Sequence, residues 1–216
     1  MATHGDSKGG DGIQPLWDDF VQKEGLSTAQ GQQYRTYVDA LRAWNERSNL
    51  TRITTLADII PYHLQDSIRV IKHAHFASGQ MVCDIGSGGG FPGLALAIAR
   101  PDVRYTLIEV NQKKIAFLRH VIALLQLEQV TVCEYDWRTF VRRAPVTVDW
   151  FVTRASLDMS ELMRIFKSGS AYNNAQLIYW ASDQWHIGRE EEPFFIKKEA
   201  YTVGLARRWY VFFGKQ

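Results

Sequence analysis

The stretch MVCDIGSGGGFPGLALAIA at residues 81–99 decides the fold of this chain. It starts with a short apolar run typical of a buried strand, passes into a glycine-rich turn, and ends in an apolar run that predicts a helix opening near Pro92. Glycines let the backbone turn tightly and approach a ligand closely, beside a helix N-terminus that carries partial positive charge. A strand, a glycine turn and a helix in this order indicate a site for a nucleotide-bearing cofactor.

After this motif, short β-rich runs alternate with amphipathic helices, which is typical of a mostly parallel sheet with helices on both faces. The clearest helix is predicted over residues 112–125, where apolar side chains recur at helical spacing. Strands are predicted at residues 81–85, 104–109, 130–135, 149–153, 176–180, about 195–202 and 209–213. The predicted fold class is therefore α/β, with a Rossmann-like seven-stranded sheet.

The part of the chain before the motif has a different composition and a different hydrophobic pattern. Residues 1–12 are rich in Gly, Ser and Asp and predict a flexible arm. Residues 13–78 predict a helical N-terminal extension, with one helical unit over 15–45 that is broken at 25–27, and a further helix over 56–73. Residues 79–216 are predicted to form the α/β core.

The composition is that of an ordinary globular protein, with 46% hydrophobic and 22% charged residues and a formal net charge of +2. The first residues lack the basic and apolar regions of a secretory signal, and no apolar run approaches the roughly 20 residues that cross a bilayer. We therefore expect a cytoplasmic monomer without a membrane partner. No histidine is accompanied by other ligands at zinc-binding spacing, so no metal is expected.

The glycine spacing leaves the cofactor open, because Gly88, Gly90 and Gly93 fit the dinucleotide pattern GxGxxG while Gly86, Gly88 and Gly90 fit the shorter GxGxG. Asp84, at the end of the predicted strand, favours the second pattern. Its carboxylate would repel a pyrophosphate but attract the ammonium group of a sulfonium cofactor such as S-adenosylmethionine.

Glu109 ends the next predicted strand about 20 residues further on, where a carboxylate reaches ribose hydroxyls in such folds. This position is shared by both kinds of cofactor. The acid therefore supports a nucleoside-containing ligand without choosing between them.

The segments VCDIGSGGGFPGLALAIARP and TLIEVNQKKIAFLRHV resemble the bacterial ribosomal small-subunit RNA methyltransferase G family, also called the glucose-inhibited division protein B family. WNERSNLTRIT at residues 44–54 and HLQDSI at 63–68 are similar to that family's N-terminal signature. The resemblance runs from about residue 34 to residue 154. It implies a class I methyltransferase fold that uses S-adenosylmethionine to methylate N7 of a guanine in 16S ribosomal RNA, free or in a ribosomal particle.

The resemblance also implies roles for individual residues. Cofactor-binding residues would be Asp84, Gly86, Ser87, Gly88, Gly90 and Phe91 of the turn, Glu109 at the ribose, Tyr135 and Asp136 beside the adenine, and Arg154. Substrate-binding residues would be Asn49, Thr51, His63, Asp66, Lys113 and Arg208. Arg154, which lies in a stretch like the family's Ser-Arg-Ala motif, is also the candidate catalytic residue, acting by positioning cofactor or substrate.

Two departures from the family pattern bear on the substrate. Tyr62 stands where the family usually has an arginine, and YWASDQW at 179–185 replaces a segment that usually contains a lysine. Both changes remove a basic group that could contact phosphate. A methyltransferase of the same fold with another RNA, a protein or a small molecule as acceptor therefore remains an alternative. A nicotinamide-dependent oxidoreductase and a cofactor-binding protein without turnover are further alternatives.

Overall fold

The computed structural model of the protein describes residues 12–143, 146–154 and 157–215. Its centre is a seven-stranded sheet with the strand order β3-β2-β1-β4-β5-β7-β6. The strands are β1 (Met81–Ile85), β2 (Arg104–Ile108), β3 (Val130–Cys133), β4 (Trp150–Thr153), β5 (Gln176–Ser182), β6 (Phe195–Val203) and β7 (Ala206–Phe213). Strands β1 to β5 are parallel, and β7 pairs antiparallel with both β5 and β6. This confirms the predicted α/β class and the mostly parallel sheet.

The end of β3 and the start of β7 differ from the prediction. β3 ends at Cys133, so Tyr135 lies in the connection that follows it. β7 begins at Ala206, earlier than predicted, because Arg207 and Arg208 continue the pairing with β6. Arg208 also lies opposite Ser182 at the end of β5. The start of β7 therefore belongs to the edge of the sheet where the parallel strands end.

Helices cover both faces of the sheet. They are α1 (Ile13–Glu24), α2 (Thr28–Ser48), α3 (Leu56–Ile59), α4 (Asp66–Ile68), α5 (Gly93–Ala99), α6 (Gln112–Leu125), α7 (Trp137–Arg143) and α8 (Met159–Leu162). Short 3-10 helices span Arg69–Lys72, Met163–Phe166 and Glu192–Phe194. The break predicted at 25–27 is present, because Gly25 ends α1 in the left-handed conformation and Ser27 begins α2 with a capping box to Gln30.

The helix predicted over residues 56–73 is not a single α-helix. A π-helical segment, Ile60–Gln65, separates α3 from α4, and a 3-10 helix follows. Pro61 lies in this segment and has no N–H to donate to a regular α-helical hydrogen bond. Such π-helical turns are frequent at functional sites.

The N-terminal extension shares an apolar core with the α/β part. Phe20 and Tyr34 of the extension belong to one buried cluster with Leu94 of α5 and Phe117 of α6. The hydroxyl of Tyr34 donates to the carbonyl oxygen of Ala95 at 2.7 Å. The extension therefore stabilises the helix that follows the glycine turn. The predicted arm at 1–12 lies outside the described residues except for Gly12.

The opposite face of the sheet has its own aromatic core. Phe140 of α7, Phe151 of β4 and Tyr172 are mutually in contact, with ring centroids 5.4 to 6.3 Å apart.

In the residues that the structure describes, no helix has the length and apolar character needed to cross a membrane.

We expect Phe20→Ala to lower the free energy of unfolding by about 3–5 kcal/mol, because it removes a fully buried ring from the shared core. Urea unfolding followed by circular dichroism and by tryptophan fluorescence would give coincident transitions, both at lower urea. The control is Leu124→Ala on α6, where the side chain is exposed and the change should stay within about 0.5 kcal/mol. Two separate transitions in Phe20→Ala would contradict a shared core.

Candidate active site

The glycine turn after β1 is tied to the neighbouring strand. The backbone N–H groups of Gly86 and Ser87 both donate to the carbonyl oxygen of Ile108, at 2.9 and 3.1 Å. Gly90 has a φ of +93°, and a Cβ there would lie 2.5 Å from the hydroxyl of Tyr37 and 2.6 Å from a methyl carbon of Leu94. Only glycine fits this position, because both the conformation and the space exclude a side chain.

Gly88 differs from Gly90, because the space beside it is open. A Cβ at Gly88 would have one heavy atom within 4 Å, the carbonyl oxygen of Gly86 at 3.8 Å. The φ of +58° still favours glycine. The turn thus presents bare backbone beside unoccupied volume, as a site does where a ligand approaches the main chain closely.

Asp84 is the most unusual residue of the turn. It is 1% exposed, and its Oδ2 accepts a hydrogen bond from the N–H of Gly93 at 2.9 Å. Its Oδ1 is buried without a hydrogen-bond partner in the described part of the chain. Burial raises the pKa of Asp84 to about 7, although the hydrogen bond from Gly93 acts in the opposite direction. A buried carboxylate oxygen without a partner indicates a site for a donor that the protein itself does not supply.

Glu109 lies across the turn from Asp84. It is 7% exposed, and its carboxylate accepts hydrogen bonds from the N–H groups of Gly88, Val110 and Asn111, each at 2.9 Å. The side chain is therefore held in one orientation by the backbone on both sides. A cavity of about 430 Å³ opens beside it, and Gly86, Lys114, Asp136 and Arg154 are among the residues that line this cavity.

The two residues predicted beside the adenine separate in the structure. Asp136 lines the cavity, and its carboxylate accepts hydrogen bonds from the N–H and the hydroxyl of Thr139, which lower the pKa of Asp136. Tyr135 is 46% exposed and lines a different surface depression with Thr106 and Phe140. The structure thus brings Asp136, but not the ring of Tyr135, to the cavity.

Arg154 follows β4 and is held by the N-terminal extension. Its Nη1 donates to Oδ2 of Asp66 and to the carbonyl oxygen of Tyr62, both at 3.0 Å. Nη1 of Arg208 donates to the same Oδ2 at 3.1 Å, and the hydroxyl of Tyr201 donates to Oδ1 at 2.6 Å. Asp66 itself is fully buried. Its expected role changes accordingly, from contacting a substrate to positioning two arginines that can.

His63 connects this cluster to the glycine turn. Its ring stacks on Phe91, with centroids 4.5 Å apart and planes 15° apart, and the guanidinium of Arg154 lies 5.6 Å from the centre of the same Phe91 ring. Burial, together with the charge of Arg154, lowers the pKa of His63 to about 3. The imidazole is therefore neutral at physiological pH. The hydroxyl of Thr51 lies 2.8 Å from Nε2 of His63.

Two predicted substrate residues lie outside this cluster. Asn49 is exposed and ends α2 with a φ of +45°. Lys113 is exposed at the start of α6 and lines a separate depression with Trp44 and Arg47. Their roles as substrate contacts remain predictions. Both side chains lie on the exposed surface, away from the cavity beside Glu109.

Sequence reasoning missed Tyr37 and Tyr201. The hydroxyl of Tyr37 donates to the carbonyl oxygen of Gly89, and its ring stacks on Phe91 at 5.2 Å. In the sequence, Tyr37 is only one apolar position of a helical repeat, and Tyr201 one position of a strand. Nothing local signals that the hydroxyl of Tyr37 reaches the glycine turn or that the hydroxyl of Tyr201 reaches Asp66.

Among the described residues there is no group of three or more His, Cys, Asp or Glu side chains suited to a metal ion.

We expect Asp84→Asn to raise the stability of the ligand-free protein at neutral and alkaline pH. The raised pKa means that the folded state resists ionisation, so the wild type loses stability as pH rises from about 4 to about 7. The amide avoids this loss, and we expect a gain on the order of 1–3 kcal/mol at about pH 8 that disappears near pH 4. Thermal unfolding across this pH range measures it.

The control is Asp136→Asn, because the pKa of this carboxyl is lowered rather than raised. The wild-type Asp136 contributes stability when ionised, so its substitution should destabilise slightly at neutral pH and have no effect in acid. Equal pH profiles for the two variants would contradict the assignment of a strained, buried charge to Asp84.

Comparison with known proteins identifies the family and the fold of this chain. The family model described as rRNA small subunit methyltransferase G matches residues 30–201. Among solved structures, TrmN from Thermus thermophilus matches with a TM-score of 0.55 and 16% identity over 68% of this chain and 47% of that chain. A human methyltransferase 10 domain containing protein matches with a TM-score of 0.57 and 13% identity over 82% of this chain and 96% of the other. At these identities the structural likeness establishes the methyltransferase fold alone.

Curated relatives are more similar in sequence. The ribosomal RNA small subunit methyltransferase G of Roseiflexus sp. (strain RS-1) is 48% identical over 107 residues, which are 50% of this chain and 45% of the relative. The protein with the same name from Bacillus cereus (strain B4264) is 34% identical over 142 residues, 65% of this chain and 59% of the relative. The matched part thus spans between two fifths and three fifths of these relatives. Since the family model covers most of the chain, the chain belongs to the rRNA small subunit methyltransferase G family.

Proposed function

We propose that the protein transfers a methyl group from S-adenosylmethionine to N7 of a guanine in small-subunit ribosomal RNA. The observation that carries the cofactor assignment is the buried, unpartnered Oδ1 of Asp84, directly before the glycine turn. Family membership supports the RNA acceptor, since the relatives are named for that activity.

The residues around the turn fit S-adenosylmethionine. Oδ1 of Asp84 is a ready acceptor for the ammonium of the methionine moiety, and such charge-assisted hydrogen bonds are strong. Glu109 is fixed by three backbone N–H groups in a position to accept from ribose hydroxyls. Two carboxylates at the turn disfavour a pyrophosphate, which counts against the nicotinamide alternative.

The site also limits the kind of acceptor. His63 is neutral, and its Nδ1 and Nε2 both face partners within 3.2 Å. Glu109 is engaged by the backbone, and Asp84 is buried. His63 and Glu109 are therefore not free to remove a proton from a substrate. Guanine N7 suits such a site, because it offers a lone pair and carries no proton.

When bound, S-adenosylmethionine would supply an electrophilic methyl group to N7. The protein's contribution is alignment. Asp66 holds Arg154 from one side and Phe91 faces it from the other, so the guanidinium can orient cofactor or base without moving. Holding reactants at attack distance is worth up to about 7–11 kcal/mol as effective molarity.

The RNA must present an accessible base. N7 faces the major groove, which is deep and narrow in A-form RNA, so we propose a guanine in a loop or one that is flipped out. Arg208, which is about one-third exposed, and Arg207 lie at the edge of the sheet where Arg154 emerges, and they offer contacts to phosphate. We propose that the protein acts as a monomer, in the cytoplasm, on RNA or on a ribosomal particle.

We expect the affinity for S-adenosylhomocysteine to rise between about pH 6 and pH 8, because only the ionised Asp84 carboxylate pairs with the ammonium group. Of the other charged groups that act on Asp84, Arg154 lowers its pKa and Glu109 raises it. Asp84→Asn should weaken binding about tenfold or more at pH 8 and remove the pH dependence. Isothermal titration calorimetry measures both effects. Asp183→Asn, at an exposed position directly after β5, is the control.

We expect Arg154→Ala to lower kcat/KM for methyl transfer about 100-fold, because small displacements of a reacting group have effects of this size. Tritiated-methyl transfer to small subunits, or to their naked RNA, from cells that lack the protein measures it. Arg164→Ala is the matched control, since Arg164 is about half exposed and pairs with Glu161 outside the site.

The location of the label tests the rest of the proposal. Label in a single 7-methylguanine supports it. Label in another nucleotide, or in protein, would replace the proposed acceptor while leaving the cofactor assignment intact. Binding of S-adenosylhomocysteine without any transfer would overturn the proposed activity.

A further inference from the structure

The hydrogen bonds around His63 determine which of its ring nitrogens carries the proton. Nδ1 lies 3.2 Å from Nη2 of Arg154. A guanidinium has only donors, so Nδ1 of His63 accepts this hydrogen bond. The low pKa of His63 means that the ring carries a single proton. That proton is therefore on Nε2, which points at the hydroxyl of Thr51 at 2.8 Å.

The hydroxyl oxygen of Thr51 consequently accepts twice. It accepts from Nε2 of His63 and from the backbone N–H of Ile53 at 3.0 Å. A hydroxyl oxygen has two lone pairs, and both are used here. Thr51 can then take part in one further hydrogen bond only, as the donor. The chain from Arg154 through His63 thus converts an amphoteric hydroxyl into an obligatory donor.

The backbone holds this hydroxyl in place. Asn45 of α2 accepts from the N–H of Thr51 at 2.9 Å and donates to its carbonyl oxygen at 3.0 Å. Thr51 is half-buried and also lines a cavity of about 880 Å³ between α2 and the following loop, so it is reachable from solvent. The residue is rigid, accessible, and linked through His63 to Phe91 of the glycine turn.

A fixed donor distinguishes the two purines. Beside N7, guanine presents the acceptor O6, whereas adenine presents the donor N6–H₂ at the same place. A group that can only donate is complementary to guanine and meets an unpaired donor on adenine. If N7 is the atom that is methylated, O6 is the neighbouring group by which an enzyme can recognise guanine.

We infer that Thr51 is the residue that specifies guanine, by donating a hydrogen bond to O6 of the target base. The inference rests on the proposed function, because it takes guanine N7 as the methyl acceptor. It adds the identity of the recognising group, and it gives His63 a positioning role as the side chain that fixes the direction of the Thr51 hydroxyl.

The test is a cycle that combines a protein change with a base change. Wild type and Thr51→Val are compared on small-subunit RNA in which the mapped target guanine is either intact or replaced by 2-aminopurine, introduced by ligation. 2-Aminopurine keeps N7 and the 2-amino group but lacks O6. Methyl transfer is measured as kcat/KM for the four combinations, and Thr51→Ser, which keeps the hydroxyl, is the matched control.

We expect 2-aminopurine to lower kcat/KM about tenfold with wild type and with Thr51→Ser, as the loss of one specific hydrogen bond does. Thr51→Val should lower kcat/KM on guanine by at least a similar factor and should no longer distinguish the two bases. A purely structural role for Thr51 would slow both substrates equally and leave the tenfold ratio unchanged in Thr51→Val. That result would overturn the inference.

The outcome is separable from that of the proposed function. Failure of wild type to methylate the guanine-containing RNA would refute the proposed activity before the cycle is begun. Active wild type with an unchanged ratio in Thr51→Val refutes only the assignment of Thr51.

Discussion

The buried carboxylate of Asp66 is the interaction on which the rest of the site depends. An ionised group without solvent is unfavourable unless it is paired and hydrogen-bonded, and Asp66 meets this condition with Arg154, Arg208 and Tyr201. These partners come from the loop after β4 and from the last two strands, whereas Asp66 itself begins α4 of the extension. The carbonyl oxygen of Asp66 also accepts from Trp180 on β5. One residue therefore fixes the extension over the edge of the sheet where the cofactor turn lies.

The cofactor turn is supported from the same direction. Tyr37 bonds to the carbonyl oxygen of Gly89, and Gln30 bonds to the carbonyl oxygens of Ile98 and Ala99 at the end of α5. The extension thus holds both ends of the segment that begins with the glycines. This explains why the helices before β1 and the sheet share a core: the shape of the turn is set by side chains that precede it by about 50 residues.

Much of this could be predicted from the sequence, because the deciding signals are local. The glycine turn, the acid at Asp84 and the alternation of strands and helices each lie within a short window, and the parallel sheet follows from them. The π-helical segment around Pro61, the hydroxyl of Tyr37 and the bond between Thr51 and His63 could not be predicted in the same way. They depend on contacts that form only when distant parts of the chain meet, such as Arg154 with Tyr62. The family resemblance indicated Thr51 and His63 as residues of interest but not what they do.

The sharing of Asp66 by two arginines has a consequence for charge balance. One carboxylate neutralises one guanidinium, so Arg154 and Arg208 together leave a surplus of one positive charge, and both bond to the same oxygen, Oδ2. A phosphate of the proposed RNA substrate would supply the missing anion. If it drew one arginine toward itself, the other would remain on Asp66, so the buried acid would keep a cationic partner throughout. The cluster can therefore exchange an internal ion pair for an intermolecular one without exposing an uncompensated charge in the interior.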